Sequence, residues 1–221
     1  MRSPFSPFHF FFLLVVVSAL MGIIQFGIVT LTLEKLGLSV TQAFILLISS
    51  LFGSLVNIPL FKIDAEVPPE HIDTRRFGLF RPMQVEFTGQ TIIAINVGGA
   101  LIPVLFSIYL LSRSGPGLIE VITAVTIVSA ISYVMSRPIM GFGIGMPILI
   151  APLTAAAVAL TIDAELSASL AYISGTMGVL IGADLMRLKD VRKFGTPLAS
   201  IGGAGTYDGI FLTGLIAVLL T

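Results

Sequence analysis

The chain has no cysteine and no tryptophan, and only 11% of its residues are charged. Without cysteine there is no disulfide, thiolate metal site, iron–sulfur cluster or cysteine nucleophile, and cysteine usage says nothing about the redox compartment. Without tryptophan, any aromatic belt at a membrane surface must come from the 16 Phe and 4 Tyr. The charge content is about half that of an ordinary soluble domain. The 12 basic and 12 acidic residues cancel, which argues against a nucleic-acid partner and against a polybasic grip on anionic lipid.

Apolar residues fill the chain instead, 56% of 221. A bilayer core of roughly 30 Å takes about 20 mostly apolar residues per helix, and seven runs of that kind stand between polar breaks: 9–32, 40–61, 90–112, 118–136, 140–162, 166–186 and 198–220. The first has signal-peptide features in Arg2 and Val17-Ser18-Ala19, but it continues to Leu33, too long for the apolar region of a signal peptide. The expected fold is therefore all-α, a polytopic helical membrane protein of about seven transmembrane helices. Residues 1–221 form one integral membrane domain with the bilayer as its partner.

Lys and Arg set the orientation. With the N-terminus inside, Arg2, Lys62, Arg75, Arg76, Arg81, Arg137, Arg187, Lys189, Arg192 and Lys193 fall on the inner side, and only Lys35 and Arg113 on the outer side. That bias predicts a cytoplasmic N-terminus and an external Thr221, in a prokaryotic cytoplasmic membrane. The polar stretch 62–89 is then a cytoplasmic loop. Its weak alternation at Met83, Val85 and Phe87 permits a short strand or hairpin before the third span. Asp64, Glu66, Glu70, His71 and Asp73 in this loop match no zinc or calcium spacing, so neither a metal nor another cofactor is expected. No internal repeat supports an inverted-repeat transporter.

Polar groups within apolar spans carry most of the functional information. Asp184 ends the sixth span and Asp208 lies within the seventh, both toward the cytoplasmic side of consecutive helices. Two carboxylates held close share one proton, the arrangement of an aspartyl dyad, so both are candidate catalytic residues. Gly202, Gly203 and Gly205, with Tyr207, are candidate substrate-binding residues, the glycines admitting a substrate backbone and a water. Asn57 and Asn96 sit beside helix breakers, where amides coordinate an ion or substrate or, more commonly, bond between helices. The irregular run Gly141, Gly143, Gly145, Pro147 and Pro152 denotes either a broken helix or close packing.

Two features oppose the dyad. Asp184 stands three residues before Arg187, the spacing of a helical ion pair. On a regular helix Ala171, Gly175, Gly178 and Gly182 form one small-residue stripe with Asp184 almost opposite. If that stripe packs on the seventh span, only a helix break near Gly182 brings Asp184 round to it. Asp208 also has a simpler reading, as packing glue bonded to a hydroxyl or backbone amide.

From Gly53-Ser54-Leu55-Val56-Asn57-Ile58-Pro59-Leu60 to the C-terminus, and best over Ser200-Ile201-Gly202-Gly203-Ala204-Gly205-Thr206-Tyr207-Asp208-Gly209, the chain resembles a multipass membrane family described as domain of unknown function 1614. That resemblance implies a membrane location and no particular activity. A fainter, topological likeness is to the Gly-x-Gly-Asp intramembrane aspartyl proteases, the presenilin, signal peptide peptidase and prepilin peptidase group. In the first two, an aspartate on an inward-running helix faces a glycine-rich aspartate on the next. The departures are that Thr206 and Tyr207 separate Gly205 from Asp208, and that no Pro-Ala-Leu tripeptide occurs. The leading expectation is an enzyme of the intramembrane aspartyl peptidase type acting on a transmembrane peptide. The rivals are a proton- or cation-coupled carrier using Asp208, helped by Asn57 or Asn96, and a non-catalytic membrane scaffold.

Overall fold

The structure, a computed structural model, describes residues 15, 18, 22, 27–66, 89–139, 143–193, 195–203 and 209–221. After a helical stretch over 27–34 come α1 (Val40–Gly53), β1 (Asn57–Asp64), β2 (Gln90–Asn96) and a π-helical turn (Val97–Leu101) that leads into α2 (Ile102–Ser114). Next are α3 (Leu118–Met135), the short strands β3 (Arg137–Ile139) and β4 (Gly143–Gly145), and α4 (Ile150–Ile162). α5 (Ser167–Val179) continues as a second π-helical turn (Leu180–Leu185), and a 3-10 turn (Leu188–Lys193), β5 (Leu198–Ile201) and α6 (Gly209–Leu219) complete the order.

The molecule is mostly helical, but the all-α expectation is corrected. β1 pairs antiparallel with β2 and β2 parallel with β5, in the order β1-β2-β5, while β3 and β4 form a separate hairpin. Four of the apolar runs thus change between helix and strand partway along, 140–162 among them, where β4 gives way to α4. In 40–61 the helix stops at Gly53 because Pro59 cannot continue one, and the chain extends into an edge strand, where a missing N–H is tolerated. In 90–112 the β-branched run Thr91-Ile92-Ile93 favours strand until Gly98-Gly99 turns it into helix. In 198–220 the strand ends at Ile201 and helix resumes at Gly209. Met83, Val85 and Phe87, with Glu70, His71 and Asp73, lie outside the described residues; the strand found before α2 is β2 itself.

Among the described residues, two helices rather than seven are by themselves long and apolar enough to cross a membrane, Leu118–Met135 and Ser167–Leu185. Shorter apolar helices cover Val40–Gly53, Val97–Arg113, Ile150–Ile162 and Gly209–Leu219. The interior mixes small residues, Ala124, Ala155, Ala159, Ala171 and Ala217, with large ones, Leu33, Leu170, Tyr172 and Phe211, while many large apolar residues face outward: Ile119 is 82% exposed and Val134 67%. At Gly175, α5 meets α4 and α6 together: a Cβ there would lie 3.4 Å from the Ala155 Cβ and 3.6 Å from the Gly214 Cα.

Charges sit at the two ends. The sheet end carries Lys62, Arg137, Arg187, Lys189, Arg192 and Lys193. At the far end Lys35 reaches the Val218 carbonyl at 3.4 Å. Carboxylates there serve as caps: Glu120 accepts from the Gly117 amide at 2.7 Å, and Asp163 from the amides of Glu165 and Leu166 at 2.9 and 3.0 Å.

The closest backbone approach joins α1 to the π turn before α2. A Cβ on Gly98 would lie 1.9 Å from the Ser50 carbonyl oxygen, whereas Gly27 has nothing within 4 Å. Overpacking of this kind costs about 1–3 kcal/mol or more. Thermal unfolding of the purified protein will show Gly98→Ala strongly destabilised and Gly27→Ala near wild type.

Candidate functional site

The helix-strand junctions converge at the sheet end. At the first of them Asn96 binds three partners. Its Nδ2 donates to the Ser54 carbonyl at 2.8 Å and to Asn57 Oδ1 at 3.0 Å, and its Oδ1 accepts from the Gly99 amide at 2.7 Å, capping the π turn. Asn57 Oδ1 also accepts from the Ser200 hydroxyl, which ties β1 to β5 across β2. The Ser50 hydroxyl donates to the Gly98 carbonyl at 2.8 Å. Each amide oxygen offers two lone pairs, so Asn57 Oδ1 is fully used. Asn57 and Asn96 are therefore brought together as a knot that closes the junction between paired strands, rather than bonding between helices as the sequence alone suggests.

The second junction leaves β5. Gly202 takes a left-handed φ of 73°, and a Cβ there would lie 2.5 Å from the Ala100 Cβ, so only glycine fits. Gly203 lies against Asn96: a Cβ there would approach the Asn96 Cβ to 3.0 Å. The Gly202 amide donates to Asp184 Oδ2 at 2.8 Å.

That last contact depends on how α5 ends. Its small-residue stripe divides: Gly175 faces α4 and α6, but Gly178 and Gly182 face α3, where added Cβ atoms would lie 2.5 Å from Val128 Cγ1 and 2.2 Å from the Ser129 carbonyl. Beyond Val179 the helix widens, with the Met186 amide donating to the Ile181 carbonyl at 2.9 Å. One extra residue in a turn rotates the remainder of the helix by about 100°. A helix irregularity near Gly182 is thus present as this π turn, and Asp184 meets the Gly202 amide at the end of β5.

The expected Asp184–Arg187 pair does not form. Arg187 binds Asp190 at 3.2 Å, and donates to the carbonyls of Tyr133 at 2.8 Å and Ser136 at 2.9 Å, with its guanidinium 4.4 Å from the centre of the Tyr133 ring. It thereby satisfies the carbonyls left over at the end of α3. Asp190 also accepts from Lys193 at 2.9 Å. The Lys193 bond, helped by Arg187, holds the Asp190 carboxyl below its usual range, and the Asp190 bond raises the Lys193 ammonium above its own.

Asp208, Gly205 and Tyr207 lie outside the described residues. Two positions past Asp208, Ile210 is buried in one cluster with Val179, Leu180 and Ala183, the residues leading to Asp184. The bond of Ser200 to Asn57 and the bonds of Arg187 to the Tyr133 and Ser136 carbonyls were missed, for they reach segments far away in the sequence. Among the described residues no group of three or more His, Asp or Glu is placed to hold a metal ion.

These features define a mostly helical protein with a small sheet closing one end and a carboxylate held at a strand-to-helix junction. The chain belongs to the family described as protein of unknown function (DUF1614), whose model matches residues 51–220. No curated protein and no solved structure matches it.

Removing the Asn96 side chain takes the partner from the Gly99 amide and a donor from the Ser54 carbonyl, and leaves Asn57 Oδ1 with Ser200 alone. Asn96→Ala will lower stability by about 1–3 kcal/mol, and a double-mutant cycle with Asn57→Ala will show a coupling of about 0.5–3 kcal/mol. Because the Asp190 pKa is lowered on folding, its contribution is present above the unfolded value of about 3.9 and is lost as pH falls through the folded value. It amounts to less than about 1 kcal/mol at this exposed site. Asp190→Asn will therefore flatten the acid limb of a stability-against-pH curve and leave stability between pH 6 and 8 lower by a constant amount.

Proposed function

We propose that the chain is a multipass protein of a prokaryotic cytoplasmic membrane, crossing it seven times with the sheet end cytoplasmic, and that Asp184 and Asp208 form an intramembrane aspartyl peptidase-type centre. The membrane reading is supported by the many large apolar side chains left exposed on the helices, Leu118, Ile119, Ile122, Val134 and Leu153 among them, as expected when lipid rather than water is the solvent. The orientation is supported by the concentration of described Lys and Arg at the sheet end.

One observation carries the catalytic reading: the π turn of α5 turns Asp184 onto the Gly202 amide, at the mouth of the glycine-rich segment that holds Asp208. In such a centre one carboxylate takes a proton from water, whose oxygen attacks the peptide carbonyl, while the protonated partner donates to the carbonyl oxygen. The amine leaves with a proton returned from the dyad. The substrate class is a transmembrane or membrane-proximal peptide. The carrier reading is weaker, because the side-chain oxygens through which Asn57 and Asn96 would coordinate an ion already accept from Asn96, Ser200 and the Gly99 amide. Nothing specific favours a scaffold.

The absence of native cysteine provides the test. Asp184→Cys and Asp208→Cys together, in membranes, will form an intramolecular disulfide, which needs Cα atoms about 4.4–6.8 Å apart, or a short-linker crosslink; single-cysteine controls will not. Asp184→Asn and Asp208→Asn will each reduce cleavage of a reporter transmembrane peptide to background while the fold is retained. Failure of both crosslinks separates the carboxylates and ends the dyad proposal. Loss of proton-coupled transport in Asp208→Asn alone favours the carrier.

A further inference from the structure

Among the described residues β1 is the outer strand of its sheet, and Asn57, Ile58, Pro59, Leu60, Phe61 and Lys62 are all exposed. Ile58 is 43% exposed, Leu60 51% and Phe61 50%. This apolar surface continues from the end of α1, where Phe52 and Leu55 are also exposed. No charged residue occurs between Lys35 and Lys62.

Length gives this strip a meaning. α1 has 14 residues, about 21 Å of helix, short of the roughly 30 Å of a bilayer core. Five extended residues add about 16 Å, and Asn57 to Phe61 are the five that precede the first charge. A covering protein strand is disfavoured at this edge. Pro59 offers no N–H, and the pairing register with β2 shifts between Pro59 and Phe61, so the strand is bulged at the place where a neighbour would need it flat.

We infer that β1 is a lipid-facing strand: Ile58, Leu60 and Phe61 contact the acyl chains of the cytoplasmic leaflet, and Lys62 marks the level of the headgroups. Its stem lies along the apolar surface and its ammonium reaches the lipid phosphates. At this depth headgroup water and glycerol-ester carbonyls meet the free edge amides, a need that the hydrocarbon core does not meet. The membrane contact of this protein thus includes a sheet edge as well as helices.

The inference rests on the membrane reading proposed above, and one experiment separates the two. Single cysteines replacing Ile58, Leu60, Asp64 and Ile127 are spin-labelled in vesicles of phosphatidylethanolamine and phosphatidylglycerol, and their collision rates with oxygen and with a water-soluble nickel chelate are compared. All four side chains lie at exposed positions, so the labels displace no core packing. Labels at 58 and 60 will approach the one at 127, midway along α3, with an oxygen-to-nickel ratio several-fold above that at 64. If 58 and 60 match 64 while 127 stays in lipid, the strand is in water and the inference fails with the membrane reading intact. If 58 and 60 are shielded from both reagents, protein covers the edge and the inference fails. A nickel-accessible 127 overturns the membrane reading and this inference with it.

Discussion

Where a chain changes from strand to helix, backbone groups of both elements lose their ladder partners, and in apolar surroundings each must find another. The sheet end of this protein is organised around that requirement. Asn96 caps the π turn, takes up the Ser54 carbonyl and holds Asn57. Asp184 takes up the Gly202 amide as β5 ends. Arg187 takes up the last carbonyls of α3. Three side chains from distant parts of the sequence thus close three ends at one level of the fold.

Close packing makes these bonds reachable. Gly98 lets the π turn rest on the Ser50 carbonyl, and Gly182 lets α5 rest on the Ser129 carbonyl. The second contact bears on the candidate site. With the stripe seated on α3 at its sheet end, the π turn supplies the rotation that carries Asp184 to the Gly202 amide at the end of β5. A carboxylate accepting a backbone amide at the start of a glycine-rich segment is fixed in place on one oxygen, Oδ2, while Oδ1 has no bonded partner among the described residues.

Much of this was legible in the sequence, for different reasons. α3 and α5 with its π extension lie within a residue or two of the expected spans, because long uninterrupted apolar runs leave no choice of structure. The spans containing Asn57, Asn96 and Ser200 were misread as continuous helix. An apolar run looks the same whether it is a helix in lipid or a strand passing into one, and hydropathy does not register the difference. Pro59, Gly98-Gly99 and Gly202-Gly203 were the signals, each seen as a local irregularity and none as the end of a strand. The dyad geometry turned on the partner of one stripe, and a periodicity argument identifies a face without identifying what meets it.

The sequence by itself determined the apolar character, the absence of thiol chemistry, the polar residues worth examining and the asymmetry of basic charge, since all of these are properties of composition and order. Only the tertiary structure decided that Asn57 and Asn96 bind each other, that Arg187 leaves Asp184 for Asp190 and the end of α3, and that Asp184 turns toward Gly202. Each of these choices is made by competition among hydrogen-bond partners far apart in the chain. The winner of such a competition is set by which backbones approach closely enough, and that is known only once the helices are packed.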